Sequence, residues 1–229
     1  MKDKVVLITG ASGGLGNSVT EAFLNAGAIV AGTSRKITQD EFKRPNFHAF
    51  PADISNLRSA KALADSVAQK LGRIDVLIHL VGAFAGGASV ADTDDASWSK
   101  MLDLNLNAAF HTLRAVLPYM HKAGSGRIVA IGSRVAVEPQ PGVGAYEVSK
   151  AALVSLIRAV ALENKDAGIN ANIVLPDTMD TAVNRAAMPK ADFSKWVPTG
   201  NVAELLLALA GPAGAAVTGA VIPIYGRNA

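Results

Sequence analysis

Val5-Val6-Leu7-Ile8-Thr9-Gly10-Ala11-Ser12-Gly13-Gly14-Leu15-Gly16 runs from an apolar segment of strand length straight into a glycine-rich turn. A helical pattern follows over residues 14–26. Glycines at such a junction permit a tight turn and let backbone N–H groups approach an anion at a helix N-terminus, where the dipole favours negative charge. An ordinary turn can also be rich in glycine. The position between a first strand and a first helix is what points to a pyrophosphate, with Gly10, Ser12, Gly14, Leu15 and Gly16 around it.

Working outward, apolar runs of strand length recur at 5–8, 28–32, 48–52, 76–81, 127–133, 171–176 and 220–224. Helical patterns lie between them, near 14–26, 56–71, 97–121, 145–165 and 201–210. Strands alternating with helices imply right-handed crossovers and a parallel sheet. Seven such strands predict an α/β fold: a doubly wound, seven-stranded parallel sheet of Rossmann type, flanked by helices, in one domain over 1–229. The helix predicted at 97–121 carries Trp98, Met101, Leu102, Ala109, Phe110, Leu113, Val116 and Leu117 at three-and-four spacing. That stripe is wide enough to pack on the sheet and to leave part of itself for a second subunit.

The composition narrows the function classes. Half of the residues are hydrophobic and 18% are charged, enough apolar surface for a large core. The 22 basic residues against 19 acidic ones are scattered, which argues against a nucleic-acid surface. With no cysteine there is neither a disulfide framework nor a thiolate metal site, and His48, His79, His111 and His121 form no ligand motif, so no metal is expected. The opening MKDKVVLITG enters a strand pattern at once, and Val202–Ile224 is interrupted by Glu204, Pro212 and glycines. Neither a signal peptide nor a membrane span is expected, and a cytoplasmic location is the default.

Two further stretches bear on a dinucleotide. The second strand ends at Gly32-Thr33-Ser34-Arg35-Lys36, with no carboxylate to accept from a ribose 2′-hydroxyl. Ser34 and Arg35 can instead bind a 2′-phosphate, which favours NADP(H) and leaves NAD(H) possible; Arg35 and Lys36 also read as solvated loop cations. Asp53, before Ile54, can accept from an adenine amino group or cap the helix entered near Ser55 or Asn56.

The chemistry sits in Tyr146-Glu147-Val148-Ser149-Lys150. Four-residue spacing puts Tyr146 and Lys150 on one helical face, one turn apart. Bringing a phenol from ~10 to about 7 takes roughly 4 kcal/mol of phenolate stabilisation. A neighbouring ammonium and a positive nicotinamide are suitable sources, and the tuned phenol then exchanges a proton at neutral pH. Ser133 ends a predicted parallel strand, where open sheets gather ligands, though a turn serine looks the same. Asn105 lies inside a helical pattern, where propensity gives Asn no reason to be. A buried, partnered residue reads the same way.

Together these positions resemble the short-chain dehydrogenase/reductase family over nearly the whole chain. The residues concerned are TGASGGLG (9–16), Asp53-Ile54, Asn105 in DLNLNAAF, Ser133 in RIVAIGS, YEVSK (146–150), Pro176 with Thr181, and VTGAVIPIYG (217–226). Ser133 precedes Tyr146 by the thirteen residues usual in the family. The resemblance implies hydride transfer between a nicotinamide and a small carbonyl or alcohol, with Tyr146 as the proton donor in reduction. Ser133 would hydrogen-bond the substrate oxygen, Lys150 would lower the Tyr146 pKa and hold the nicotinamide ribose, and Asn105 would hold a water that connects Lys150 to solvent. Gly82, Tyr146, Lys150, Pro176 and Thr181 would contact the cofactor, and the assembly would be a homodimer or homotetramer using helices 97–121 and 145–165.

Two places depart from the family pattern. His79-Leu80-Val81-Gly82 stands where Asn-Asn-Ala-Gly is usual, and His79 reads either as a replacement brace or as a core histidine with a local partner. Pro176-Asp177 replaces Pro-Gly near the nicotinamide. The short segment 176–200 occupies the place of the substrate-covering loop, which favours a small or flat substrate; Phe84, Met179, Met188 and Trp196 are candidate lining, although each also reads as an apolar core residue. Its sequence is similar to dihydropteridine reductases, as is GAFAGGAS (82–89), so reduction of a quinonoid pterin is the alternative activity. Retention of Ser133, together with Ser34-Arg35 in place of an acidic residue, favours carbonyl chemistry. A non-catalytic nucleotide sensor on the same fold is disfavoured by the complete Asn/Ser/Tyr/Lys set.

Overall fold

The computed structural model describes residues 1–228. Its seven-stranded sheet is formed by β1 (Val5–Thr9), β2 (Ile29–Thr33), β3 (Phe47–Ala49), β4 (Val76–His79), β5 (Gly126–Ile131), β6 (Ile169–Pro176) and β9 (Val221–Ile224). The order across the sheet is β3-β2-β1-β4-β5-β6-β9, and every pair is parallel. All five residues of β1 are buried, as a strand covered on both faces requires. The order reverses beside β1, so the carboxyl ends of β1 and β4 open the crevice where such sheets bind ligands. This is the doubly wound Rossmann arrangement the sequence predicts.

One face of the sheet is covered by α2 (Leu57–Leu71), α4 (Ala108–Ala123) and α5 (Gly144–Asn164), around a core containing Leu7, Leu77, Leu113, Val116 and Ile157. The other face is covered by α1 (Gly14–Asn25) and α7 (Thr199–Ala210), around Val19, Phe23, Ile78 and Leu206. Local signals set the helix ends. The Asn56 side chain accepts from the Ser59 N–H at the start of α2, and Gly72 in the left-handed region ends that helix.

Several boundaries differ from the sequence reading, four of them near the site or the sheet edge. The helix predicted at 97–121 is α3 (Asp95–Leu102), a π turn at Asp103–Asn107, and then α4. Three-and-four spacing is insensitive to one widened turn, and such turns gather at functional sites. β3 is shorter than predicted because it is the sheet edge, and Pro51 has no N–H to continue pairing. β4 stops at His79, and β5 stops two residues short of Ser133. Beyond β6, β7 (Met179–Asp180) pairs in parallel with β8 (Val197–Pro198), enclosing α6 (Ala182–Ala187). Among the described residues no helix is long and apolar enough to cross a membrane.

Candidate active site

The glycine turn leaves β1 through Gly10, whose φ is +73°. The Gly10 and Ala11 N–H groups donate to the Thr33 carbonyl at 2.8 and 3.2 Å, fixing the turn to β2. A Cβ on Gly16 would fall 2.0 Å from the Gly10 oxygen, so only glycine lets the helix start so close to the turn. No side chain caps α1, which leaves its first N–H groups facing the crevice. The Ser12 hydroxyl donates to Ser34 at 2.8 Å, and Arg35 and Lys36 are exposed beyond it. Opposite the turn, the Thr181 methyl lies 3.1 Å from where a Cβ on Gly14 would be, while its hydroxyl oxygen caps α6 by accepting from Asn184. A narrow, uncapped, glycine-lined cradle of this kind fits a pyrophosphate.

Asp53 does not cap α2, which corrects one of its two sequence readings. Asn56 is the cap, and Asp53 accepts from the Ser55 N–H at 3.0 Å in a local turn, because it stands too far ahead of the helix. Asp53 is exposed and the adjoining Ile54 is buried in the core.

Asn105 is fully buried in the π turn. Its Oδ1 accepts from the Ala83 N–H at 2.8 Å, and its Nδ2 donates to the Ala83 carbonyl and the Ser149 hydroxyl, both at 3.0 Å. Ser149 in turn donates to the Tyr146 carbonyl at 2.6 Å. Asn105 therefore fastens the strand-end loop to the first turn of α5. A Cβ on Gly82 would lie 2.7 Å from Asn105 Oδ1 and 3.0 Å from Lys150 Nζ, so a side chain at 82 would wedge these two apart. No local signal marks Ser149 or Ala83 as partners, since both contacts are long-range.

Tyr146 and Lys150 share a face of α5, with Nζ 5.9 Å from the ring centre. Burial raises the Tyr146 pKa above its ordinary value, while a hydrogen bond with the Ser133 hydroxyl acts in the opposite direction. Lys150 is buried, donates to the Ile131 carbonyl at 3.0 Å, and has its pKa lowered to about 8 by desolvation. It still carries its proton at neutral pH. Ser133 leaves β5 in extended conformation and does not cap the short helical turn after it, so its hydroxyl is free to face the phenol. The structure thus brings all four predicted catalytic side chains to one place.

The departures at His79 and Asp177 find partners. His79 Nδ1 lies 3.1 Å from the Thr9 hydroxyl, bracing β4 to β1 directly before the glycine turn. Its Nε2 is buried and unpartnered, and burial with the nearby Lys150 charge lowers its pKa to about 3. Asp177 accepts from Arg134, the residue after Ser133. Of the predicted lining residues, Phe84 is 68% exposed and meets the Tyr146 ring edge-on at 5.0 Å, and Met188 is exposed. Trp196 takes the core role that its sequence also allows, buried against the Phe193 ring. Among the described residues no group of three or more acidic or histidine side chains is placed to hold a metal ion.

The chain is similar to known oxidoreductases along nearly its whole length. An uncharacterized oxidoreductase of Bacillus subtilis, YvrD, is 35% identical over 77% of this chain and 68% of its own. The 3-oxoacyl-(acyl-carrier-protein) reductase FabG of Thermotoga maritima is 30% identical over 99% of this chain and 98% of its own. A solved structure described as ElxO with NADP bound superposes with a TM-score of 0.92 at 27% identity, covering 99% of this chain and 98% of that one. Residues 4–192 match the family described as short chain dehydrogenase, and the protein belongs to that family of oxidoreductases.

Proposed function

We propose that the protein interconverts small carbonyl compounds and alcohols with NADP(H), Tyr146 being the general acid and base. The observation that carries this reading is the half-buried Tyr146 phenol, faced by the Ser133 hydroxyl, one helical turn from the buried Lys150 ammonium. The backbone of Gly10, Ser12, Gly14, Leu15 and Gly16 would hold the pyrophosphate, with Thr181 closing over it. Ser34 and Arg35 would take the 2′-phosphate, Asp53 the adenine amino group beside Ile54, and Gly82, Lys150 and Pro176 the nicotinamide half. When bound, the reduced cofactor supplies a hydride at nicotinamide C4.

In reduction, Tyr146 gives its proton to the carbonyl oxygen, and Ser133 donates a hydrogen bond to the same oxygen as charge develops there. One Lys150 N–H is committed to Ile131, which leaves two for the ribose hydroxyls and keeps a positive charge beside the phenol. Both Asn105 amide hydrogens are engaged, so a water held by Asn105 would donate to its side-chain or backbone oxygen. Exposed Phe84 and Met188 offer apolar contact to a small or flat substrate beside the short segment 176–200. We further propose a homo-oligomer through α4 and α5.

The test is NADPH oxidation with a panel of small ketones, aldehydes, diketones and a 3-oxoacyl ester, run beside a quinonoid dihydropteridine. The ester is included because of the relative named for that substrate. Efficient turnover of one carbonyl class with an inert pterin is expected. Fast pterin reduction with weak carbonyl turnover would replace this reading by the pterin one.

A further inference from the structure

Arg134 directly follows Ser133, and Asp177 directly follows Pro176 at the end of β6. Arg134 Nη1 donates to Asp177 Oδ2 at 3.1 Å and to the Asn228 carbonyl at 2.6 Å, and Nε donates to Glu138 at 2.7 Å. The guanidinium also lies 4.6 Å from the centre of the Tyr225 ring. The two paired side chains are only 21% and 19% exposed, unlike an ordinary surface ion pair.

From Asp177 the connections run on. Its Oδ1 accepts from the Thr178 N–H at 2.7 Å, and its own N–H donates to Ile224 at 3.2 Å. The Thr178 carbonyl accepts from Val197 at 2.9 Å, at the root of the β7–β8 pair, and the Arg227 N–H donates to Lys195 at 3.1 Å. One guanidinium therefore ties the turn after β5, the turn after β6, the base of segment 176–200 and the tail 225–228. Ser133 makes no capping bond to its own turn, so the backbone just beyond it carries much of its aim.

We propose that Arg134 and Asp177 are positioning residues: the pair sets Ser133 and the Pro176–Thr178 turn in one register on the two sides of the reacting groups. Misplacement of such groups by about 1 Å can cost on the order of 100-fold in rate, so the effect belongs in kcat more than in cofactor affinity. The inference rests on the carbonyl-reduction reading above.

The experiment compares full-length wild type with Arg134→Gln, Asp177→Asn, their double variant, Arg134→Lys and Tyr146→Phe. It reads kcat, KM and cofactor dissociation constants together with amide hydrogen exchange. Each single neutralisation should lower kcat about 10-fold or more with cofactor affinity little changed. The double variant should be no worse than the weaker single, because both remove one coupling. Arg134→Lys should recover part of the rate, keeping the charge without the planar fork. In exchange, Arg134→Gln should loosen the Thr178 and Val197 amides, and Asp177→Asn should loosen Ala136 and Glu138, each across the pair. Multiplying losses, an unchanged kcat, or loosening confined to the altered end would overturn the proposal.

The two readings fail differently. An inactive wild type or a fully active Tyr146→Phe removes the carbonyl reading, and the exchange pattern then decides the pair alone. An active wild type, a dead Tyr146→Phe and full-rate pair variants with local exchange remove only the pair.

Discussion

His79 sits at the carboxyl end of β4, held to Thr9 on one side and buried without a partner on the other. An unfolded imidazole titrates near 6.5, whereas burial and Lys150 lower the folded value to about 3. As pH falls from 6.5 towards 3, the unfolded chain takes up the proton first and the folded state loses stability, by about 1.4 kcal/mol per pH unit. Above 6.5 the residue adds no slope. We predict that the difference in unfolding free energy between wild type and His79→Asn, from urea titration, shifts against the wild type by roughly 3 kcal/mol between pH 7 and pH 4. An unchanged difference would mean that His79 finds a proton acceptor when charged. At this scale Asn105, Ser133, Tyr146 and Lys150 stood out through the family resemblance taken as a whole, since each one alone leaves a plainer reading open. Their supports were not: Thr9, Ser149 and Arg134 act through contacts 70, 44 and 43 residues away. Asp53 misled as a helix cap because Asn56, three residues on, is the better-placed side chain.

Among the elements, the proposed preference for NADP(H) rests on the exit of β2. Ser34 is fixed by Ser12, while Arg35 stands exposed with its charge available. Charge-assisted bonds to phosphate contribute about 1.5–3 kcal/mol, so Arg35→Ala should raise the KM for NADPH by roughly 10-fold or more and leave that for NADH nearly unchanged. Equal losses for both cofactors would return Arg35 to a solvated loop cation. The order and type of the sheet strands and main helices were readable from apolar runs and three-and-four spacing. The π turn was not, because it alters the backbone around Asn105 without breaking the apolar stripe. The β7–β8 pair also escaped notice, since two residues per strand show no periodicity.

For the whole molecule, the apolar stripe left outside the core matters most. Phe110 on α4 and Val148 and Leu162 on α5 are exposed, Leu162 to 71%, and Ala152 and Ala159 lie between the latter two on α5. Small residues along such a stripe let a second helix pair pack closely. Leu162→Lys should convert an oligomer to monomer in sedimentation velocity with the fold retained; a monomeric wild type at micromolar concentration would contradict the proposed assembly. Both helices also carry the site, since α5 holds Tyr146 and Lys150 and the π turn opens α4. The most direct test of the central claim is Tyr146→Phe, measured for carbonyl turnover and for NADPH binding on one preparation. Loss of the phenol proton should reduce kcat by at least about 100-fold, the lower range for general acid catalysis, with NADPH binding changed little. Turnover close to wild type would show that the proton comes from elsewhere and would end the account built on Tyr146.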